Sequence, residues 1–529
     1  MPAENPHIWD GVVVGAGHNG LVAAAYLARA GRSVVVCERR PIVGGACVTE
    51  ELIPGIRTSS GAYSLSLLRP EIWKELELQR RGLEVIPKDP QLFIPLPEGG
   101  SLLLWRDERK TLEGLRRFSA GEADGYERFS RFWDRAIPFL RSVLLSDAPP
   151  LEQLRTHAQR SGLGEIFRLA VEASAAEVVE SFFSTDALRG AFVAQGIIGT
   201  AAPPREPGTA YVMAHHLLGS IGGIDGTWGY VRGGMGSVTQ TIARVATEAG
   251  ALIRTNSPIG EILPGEGVRL ENGEVLRARA VLSNADPKRT FLTLLPSGAI
   301  DEATRKAIGA IDTRGSVVKV NLALSELPDY GAMPGSEVGP QHRGTVEICP
   351  SIDYLERAWA QASDGHIADE PFMEVFCGSA VDDSLAPPGI HVLSCFAQYA
   401  PQVDAETWPD LRERAGDAVV STLGRYAPNV PGAIIAREVL GPPDLEARFG
   451  LTGGNIFHGE IVPGAIFGER PVRGWGGGPR TPVPGLYICG AGAHPGGGVM
   501  GAPGRNAAMA VLADLAAEEA SLQRRTLPG

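Results

Sequence analysis

Residues 11–40 constrain the fold of this chain more than any other stretch. An apolar run leads into a turn that contains Gly15, Gly17 and Gly20, and the alanine- and leucine-rich segment 21–30 follows. A strand, a glycine turn and a helix in this order predict a parallel α/β unit. The first glycine permits the turn, the second lets a pyrophosphate approach the backbone, and the third lets the helix pack closely on the strand. A structural βαβ unit without a ligand is the alternative.

The second strand of this unit ends in an acidic residue, Glu38. At this distance from the first glycine, a carboxylate accepts hydrogen bonds from a ribose hydroxyl. Arg39 and Arg40 suit the 2′-phosphate of NADP, but Glu38 would repel it. The sequence therefore predicts a dinucleotide site without that phosphate. Its predicted contacts are Gly15, Ala16, Gly17, His18, Asn19, Gly20, Glu38 and Arg39.

A second glycine pair, Gly44 and Gly45, comes shortly after the acidic residue and is followed by Ala46. In flavoproteins with two dinucleotide-binding segments, such a pair runs beneath the pyrophosphate of FAD, which needs a longer cradle than NAD does. The pair therefore favours FAD, with all three residues as contacts.

The C-terminal region repeats the order of strand, glycines and helix. The apolar run 485–489 leads into the glycine-rich segment 490–504, and the alanine-rich segment 507–517 follows. Many glycines between a buried strand and a helix indicate close approach of the backbone to a ligand, and the helix N-terminus stabilises negative charge. A glycine-rich surface loop is the alternative. The predicted contacts here are Gly490, Ala491, Gly492, Met500 and Gly501.

Together these segments resemble the phytoene-desaturase-like flavoproteins, within the wider amine-oxidase-type FAD superfamily. The resemblance runs nearly end to end and rests on residues 13–27, 38–46, 232–237, 283–287 and 490–502. With residues 453–459 added, the chain is similar to the pyridine nucleotide-disulphide oxidoreductase domain-containing group of mitochondria and bacteria. The disulphide in that name has no counterpart here, because Cys37 and Cys47 do not have the CxxxxC spacing.

The resemblance implies an α/β fold in which a Rossmann-like FAD-binding domain carries a discontinuous α+β substrate domain. It also implies that the backbone near Ile259 contacts the adenine of FAD. We expect the flavin to be bound non-covalently, since Cys489 lies inside an apolar strand. The expected FAD-binding domain comprises 8–70, 230–300 and 470–529, and the expected substrate domain comprises 71–229 and 301–469.

Composition excludes several classes of protein. A chain of 529 residues exceeds the usual size of one core, which predicts two domains. A net charge of −12 argues against a nucleic-acid partner. No apolar run is long enough to cross a bilayer, and the early first strand leaves no room for a targeting peptide. The six cysteines show no paired spacing, so the reducing cytosol is the expected compartment.

Segment 129–145 is amphipathic, with aromatic residues, arginines and Pro138. One interpretation is a lid that dips into a membrane surface to collect an apolar substrate. The other is a helix that faces the core. The adjacent His215 and His216 do not predict a metal, because no carboxylate or cysteine ligands have suitable spacing. The sequence does not predict an oligomeric state.

A flavin supplies two-electron chemistry, so we expect hydride transfer between flavin N5 and a substrate. The resemblance implies an apolar, isoprenoid- or carotenoid-like substrate and an acceptor such as oxygen or a quinone. The candidate catalytic residues are His458, Glu460 and His494, the first two as a general acid/base pair. Ser59, Ser60 and Tyr63 are candidates for the border of the flavin ring.

Two other functions remain open at this point. An amine oxidase is one, although Ala46 stands where amine oxidases usually carry arginine after the glycine pair. A flavin-binding interaction protein with little or no catalysis is the other.

Overall fold

Two large sheets organise the molecule. The computed structural model describes residues 7–221 and 223–526. The first sheet has seven strands, of which five run parallel. Their spatial order is Leu252–Arg254, Val34–Cys37, Ile8–Val14, Val275–Ser283 and Leu486–Ile488. The antiparallel strands Ile259–Leu263 and Gly267–Leu270 continue this sheet from Val275–Ser283.

Helices cover both faces of the first sheet, which explains its valine-rich strands. Val13 and Val36 pack towards the helices His18–Arg29, Gly236–Glu248 and Ala502–Thr526. Val12 and Val35 pack on the opposite face, in a cluster with Phe291 and Ile308. β-branched side chains suit strands that are buried on both sides.

The second sheet also has seven strands and is antiparallel except for one pair. In spatial order they are Ile434–Leu440, Val317–Leu324, His391–Gln398, Phe372–Cys377, Thr345–Ile348, Leu92–Pro95 and Ser101–Leu104. Thr345–Ile348 and Leu92–Pro95 form the parallel pair. The predicted fold, a Rossmann-like α/β domain with an α+β domain beside it, is confirmed.

The remaining strands form three small antiparallel pairs: Thr49–Ile53 with Ile56–Ser59, Val85–Pro87 with Gly229–Val231, and Ser220–Ile221 with Ile224–Asp225. The remaining helices and helical turns are Pro70–Glu75, Glu108–Phe118, Ala120–Arg141, Leu151–Arg160, Gly164–Phe167, Arg168–Glu172, Ala175–Phe182, Asp186–Val193, Ala194–Gly196, Thr209–Leu217, Arg289–Leu294, Glu302–Gly309, Pro340–Arg343, Ile352–Ser363, Gly378–Ala380, Trp408–Tyr426, Val430–Ala433, Pro442–Phe449 and Phe467–Glu469.

The amphipathic segment with the two interpretations lies largely in the helix Ala120–Arg141. Phe129, Phe132 and Trp133 are buried there, each at most 8% exposed, and belong to the largest hydrophobic cluster. These aromatic side chains therefore face the core. Over residues 7–221 and 223–526, the structure has no helix with the length and apolar character that crossing a membrane requires.

Candidate functional site: two adjoining cavities

The first glycine turn forms a cradle between the strand Ile8–Val14 and the helix His18–Arg29. Gly15 has a positive φ of 91°, and a side chain on Gly20 would overlap the carbonyl oxygen of Gly15. Among the described residues, no side chain caps this helix and no acidic residue lies in its first turn. The backbone N–H groups of the first turn are therefore available to an anion.

Glu38 connects this turn to the second strand. Its side chain is 5% exposed, and its two carboxylate oxygens accept hydrogen bonds from the backbone N–H groups of Ala16 and Arg40, both at 2.8 Å. A carboxylate has further acceptor sites beyond these two bonds, so Glu38 can also accept from a ribose hydroxyl.

The second glycine pair lies directly against the first turn. The N–H of Gly44 donates to the carbonyl of Ala16 at 2.8 Å, and a Cβ on Gly45 would lie 3.3 Å from Cα of Gly17. Both glycines have positive φ, 128° and 58°. The two segments that the sequence singles out thus form one continuous backbone surface.

This surface is the wall of a cavity of about 300 Å³, which we call the cofactor cavity. Most of the predicted site residues, cofactor contacts and catalytic candidates together, line it: Gly15, Gly17, His18, Asn19, Glu38, Arg39, Gly44, Gly45, Ala46, Ile259, Ala491 and His458. The others do not line it: Ala16, Gly20, Gly490, Gly492, Met500, Gly501, Glu460 and His494.

The C-terminal glycine segment differs from the expectation in detail. Met500 is fully buried and its carbonyl accepts from the N–H of Arg69, while a Cβ on Gly490 would lie 2.7 Å from the carbonyl oxygen of Asn284. These positions serve close packing between segments. Gly497, Gly498 and Val499 line the cavity in their place. The sequence shows the glycine-rich turn but not which of its residues face inward.

Several polar atoms at the cofactor cavity lack a protein partner. Within the described part of the chain, Nε2 of His18, Nε of Arg289 and Nδ1 of His458 are buried without a hydrogen bond. Burial lowers the pKa of His18 to about 3 and that of His458 to about 4, so both rings are neutral near pH 7. The glycine cradle, the free helix N-terminus and these unpartnered groups fit a dinucleotide with an anionic pyrophosphate.

The three candidate catalytic residues have different surroundings. His458 has a positive φ of 61° and lines the cofactor cavity. The Glu460 carboxyl group hydrogen-bonds instead to Thr200 and Asn455, both at 2.8 Å, and burial raises its pKa to about 7. Among the hydrogen bonds of the described residues, none joins Glu460 to His458.

His494 lies away from the cofactor cavity. Its Nε2 is 2.8 Å from the carbonyl oxygen of Val143, and burial lowers its pKa to about 4. His494 is 3% exposed. Its contact with Val143 joins the C-terminal segment to the residues that follow the helix Ala120–Arg141. This placement agrees with a structural role.

A second cavity of about 310 Å³ adjoins the first, and we call it the aromatic cavity. The residues that line both cavities are Tyr63, Ser64, Ile198, His216 and Trp228. The aromatic side chains that line only the second are Trp105, Tyr126, Phe129, Trp133, Phe192 and Phe376. A largely apolar, concave space beside a cofactor cradle is the usual form of a small-molecule site.

Of the three candidates for the flavin border, Tyr63 is the one that lines a cavity. It lines both cavities and its hydroxyl donates to Glu374 at 2.8 Å. Ser59 and Ser60 line neither cavity, and Oγ of Ser59 accepts from the N–H of Met235 at 3.0 Å.

Two buried lysines near the cavities were not identified from the sequence. Lys319 is 1% exposed, lines the cofactor cavity, and donates to Asn321 at 2.6 Å and to Ser394. Burial lowers its pKa to about 8. Lys88 lines the aromatic cavity and is 2% exposed. The lysine in the strand Val317–Leu324, whose other residues except Asn321 are apolar, could have been identified from the sequence, because lysine is rarely buried unless it is paired.

The chain is similar to known proteins over most of its length. The model of the flavin-containing amine oxidoreductase family matches residues 20–432. The mouse protein called pyridine nucleotide-disulfide oxidoreductase domain-containing protein 2 is 38% identical, and the match covers 96% of this chain and 94% of that protein. Phytoene desaturase of Neurospora crassa is 25% identical over 94% of this chain and 83% of its own.

The fold also matches a solved structure, an oxidoreductase from Methanosarcina mazei, with a TM-score of 0.60 and 20% identity over 95% of this chain and 99% of that one. The glycine cradle and the two adjoining cavities agree with the flavoprotein family that the sequence matches indicate over most of the chain. The chain therefore belongs to the flavin-containing amine oxidoreductase family and is a flavin-dependent oxidoreductase.

Proposed function

We propose that the flavin is FAD, held without a covalent bond in the cofactor cavity. FAD supplies two-electron redox chemistry when it is bound. The glycine cradle and helix N-terminus would hold its pyrophosphate, Glu38 would accept from its ribose, and the backbone at Ile259 would contact its adenine. Arg289, whose Nε has no partner among the described residues, would add positive charge on the same wall.

The cysteines favour non-covalent binding. Cys37 and Cys47 line the cofactor cavity, but burial raises their pKa values to about 11 and about 12. Because the thiolate is the nucleophile, such thiols are unreactive near neutral pH. Cys489 is fully buried, does not line the cavity, and has a pKa raised by burial.

We further propose that the enzyme transfers hydride between FAD and an apolar small molecule that occupies the aromatic cavity. The observation that carries this proposal is the wall shared by the two cavities, with Ile198 and Trp228 facing both. A molecule in the aromatic cavity would therefore lie next to the cofactor cavity in surroundings of low polarity. The name of the Neurospora relative, a phytoene desaturase, agrees with a substrate of this class.

The polar side chains around the two cavities would position the reactants. They would not pass protons from one residue to the next. Lys319 holds a buried amino group on the cofactor wall, and Tyr63 is fixed between the cavities by its bond to Glu374. His458 presents a neutral imidazole with an unpartnered nitrogen. The two electrons then need an acceptor, for which we propose oxygen or a quinone.

Anaerobic reduction of the flavin tests this function. Purified holoprotein is mixed in separate samples with an apolar extract of the source cells, with the apolar hydrocarbon limonene, and with the amine cyclohexylamine. The flavin absorbance is followed in each sample. The proposal expects bleaching by the apolar samples. Bleaching by the amine alone would establish an amine oxidase, and a flavin that stays oxidised throughout would favour a non-catalytic protein.

A variant tests the shared wall. Ile198→Phe places a larger side chain between the two cavities, where Ile198 is 6% exposed. We expect slower bleaching by the apolar substrate, whereas chemical reduction by dithionite keeps its wild-type rate. An unchanged rate with the substrate would contradict access through this wall.

A further inference from the structure

A buried lysine, Lys88, forms one corner of the aromatic cavity. Lys88 follows the strand Val85–Pro87, and its Nζ donates to Oγ1 of Thr345 at 3.0 Å. The same nitrogen lies 3.8 Å from the ring centroid of Phe376, a cation–π distance. Lys88, Thr345 and Phe376 all line the aromatic cavity.

Two glutamates lie beside this lysine. Glu374 accepts from the hydroxyl of Tyr63 at 2.8 Å and from Nε2 of Gln195 at 3.0 Å. Glu347 is fully buried, accepts from Gln195 at 3.3 Å and does not line the cavity. Burial, and then the neighbouring Glu374, raise the pKa of Glu347 well above its usual range.

The corner therefore holds one basic and two acidic side chains. Lys88 lies beside both Glu374 and Glu347. Burial lowers the pKa of Lys88 to about 7, an effect that the two glutamates oppose. An anionic ligand group would lie beside two acidic side chains, and a cationic ligand group would lie beside the amino group of Lys88, so both are disfavoured at this buried position.

The corner also has unused hydrogen-bonding capacity. A lysine ammonium has three N–H donors. Among the hydrogen bonds formed by residues 7–221 and 223–526, Nζ of Lys88 makes only the one to Thr345. A buried donor without an acceptor is unfavourable, and the space in front of Lys88 is the cavity itself.

We propose that this corner, Lys88 with Thr345, Gln195 and Glu374, binds an uncharged oxygen group, a hydroxyl or a carbonyl, at the end of an otherwise apolar substrate. This inference rests on the proposed function of the aromatic cavity. Tyr63 lines both cavities and bonds to Glu374, so the oxygen group is held beside the shared wall. The substrate class is an apolar alcohol, ketone or aldehyde.

A series of ligands with the same chain length tests the inference. Isothermal titration calorimetry measures binding of octane, 1-octanol, 2-octanone, octanoate and octylamine to the flavin-loaded protein. We expect 1-octanol or 2-octanone to bind about tenfold or more tightly than the other three, the factor that satisfying one buried hydrogen-bond donor supplies. Tighter binding of octanoate or octylamine would overturn the inference.

Variants show whether Lys88 causes the preference. Lys88→Met should remove the tenfold advantage, so that 1-octanol and octane bind about equally. Lys88→Met combined with Glu374→Gln removes both charges together, so the preference can still be measured if the single variant does not fold. Lys306→Met, at an exposed position in the helix Glu302–Gly309, is the matched control and should keep the advantage.

The remaining outcomes separate the two proposals. Equal binding of octane and octanol would overturn the inference and leave an apolar substrate in place. An advantage that persists without Lys88 would also overturn it. If the wild-type protein binds none of the five ligands, both the inference and the assignment of the aromatic cavity fail.

Discussion

Gly44 offers a sharp test of the cofactor cradle. Its φ is 128°, a conformation that residues with a side chain rarely adopt, and its N–H donates to Ala16 at 2.8 Å. In Gly44→Ala, the new Cβ would lie 2.6 Å from the carbonyl oxygen of Cys47 and 2.9 Å from Oγ1 of Thr239. The carbonyl oxygen would have to retreat by about 0.8 Å to reach an ordinary contact of 3.4 Å.

Two costs combine in this variant. A strained φ costs about 1–3 kcal/mol, and overpacking of a filled site costs a further 1–3 kcal/mol or so. The strain can relax if the turn moves away from its wild-type position. The proposed FAD site needs the turn in that position, so the cost of the strain weakens FAD binding. Taking the lower end of the sum, about 2 kcal/mol, FAD should bind roughly thirtyfold more weakly.

The assay is the dissociation constant of FAD, measured by titrating apoprotein and following the flavin fluorescence. Gly31→Ala is the matched control, because Gly31 also has a positive φ, 77°, but has open space around it in the described part of the chain. The control should lose stability and keep its affinity for FAD. Wild-type affinity in Gly44→Ala would refute the placement of the cradle.

Three further predictions use the same holoprotein. Glu38→Ala should weaken FAD binding by about 1–3 kcal/mol, the scale of a lost charge-assisted hydrogen bond; an unchanged dissociation constant would mean that Glu38 is not the ribose ligand. Burial raises the pKa of Glu460 to about 7, so the folded protein keeps this proton at pH values where the unfolded chain has lost it. The free energy of unfolding should therefore decrease as the pH rises from about 4.5 to about 7. Urea unfolding at pH 5 and pH 8 should show a smaller loss in Glu460→Gln than in the wild type. Because the pKa of Lys319 is about 8, the flavin midpoint potential plotted from pH 6 to 10 should bend near that value, and Lys319→Met should lack the bend.

Local pattern was sufficient for the parts of the molecule that are continuous in sequence. The strand Ile8–Val14, its glycine turn and the helix His18–Arg29 follow from burial and from the conformational needs of glycine. The second glycine pair could be placed as well, since it follows the same unit closely. These contacts lie in neighbouring turns of one chain segment, so short-range rules describe them.

Long-range packing decides the rest of the site. The polar corner is built from distant segments of the chain, which contain Lys88, Gln195, Thr345 and Glu374. Tertiary packing around the second sheet brings these residues together. No spacing in the sequence connects them. The glycine-rich C-terminal turn shows the same limit at smaller scale, because which residues face inward depends on the segments packed behind them.

The loop that contains His458 and Glu460 is best explained by its other polar contacts. Arg470 is 3% exposed and its guanidinium donates to a set of backbone carbonyls: Phe457, Gly459, Glu460, Ala465 and Ala491. A buried cation satisfied entirely by carbonyl oxygens fixes the backbone around it. The Glu460 carboxyl group accepts a hydrogen bond from the Thr200 hydroxyl, which fixes the same loop. Arg470 and Glu460 therefore fix the loop that carries His458, and of these two predicted residues, His458 and Glu460, only His458 lines the cofactor cavity.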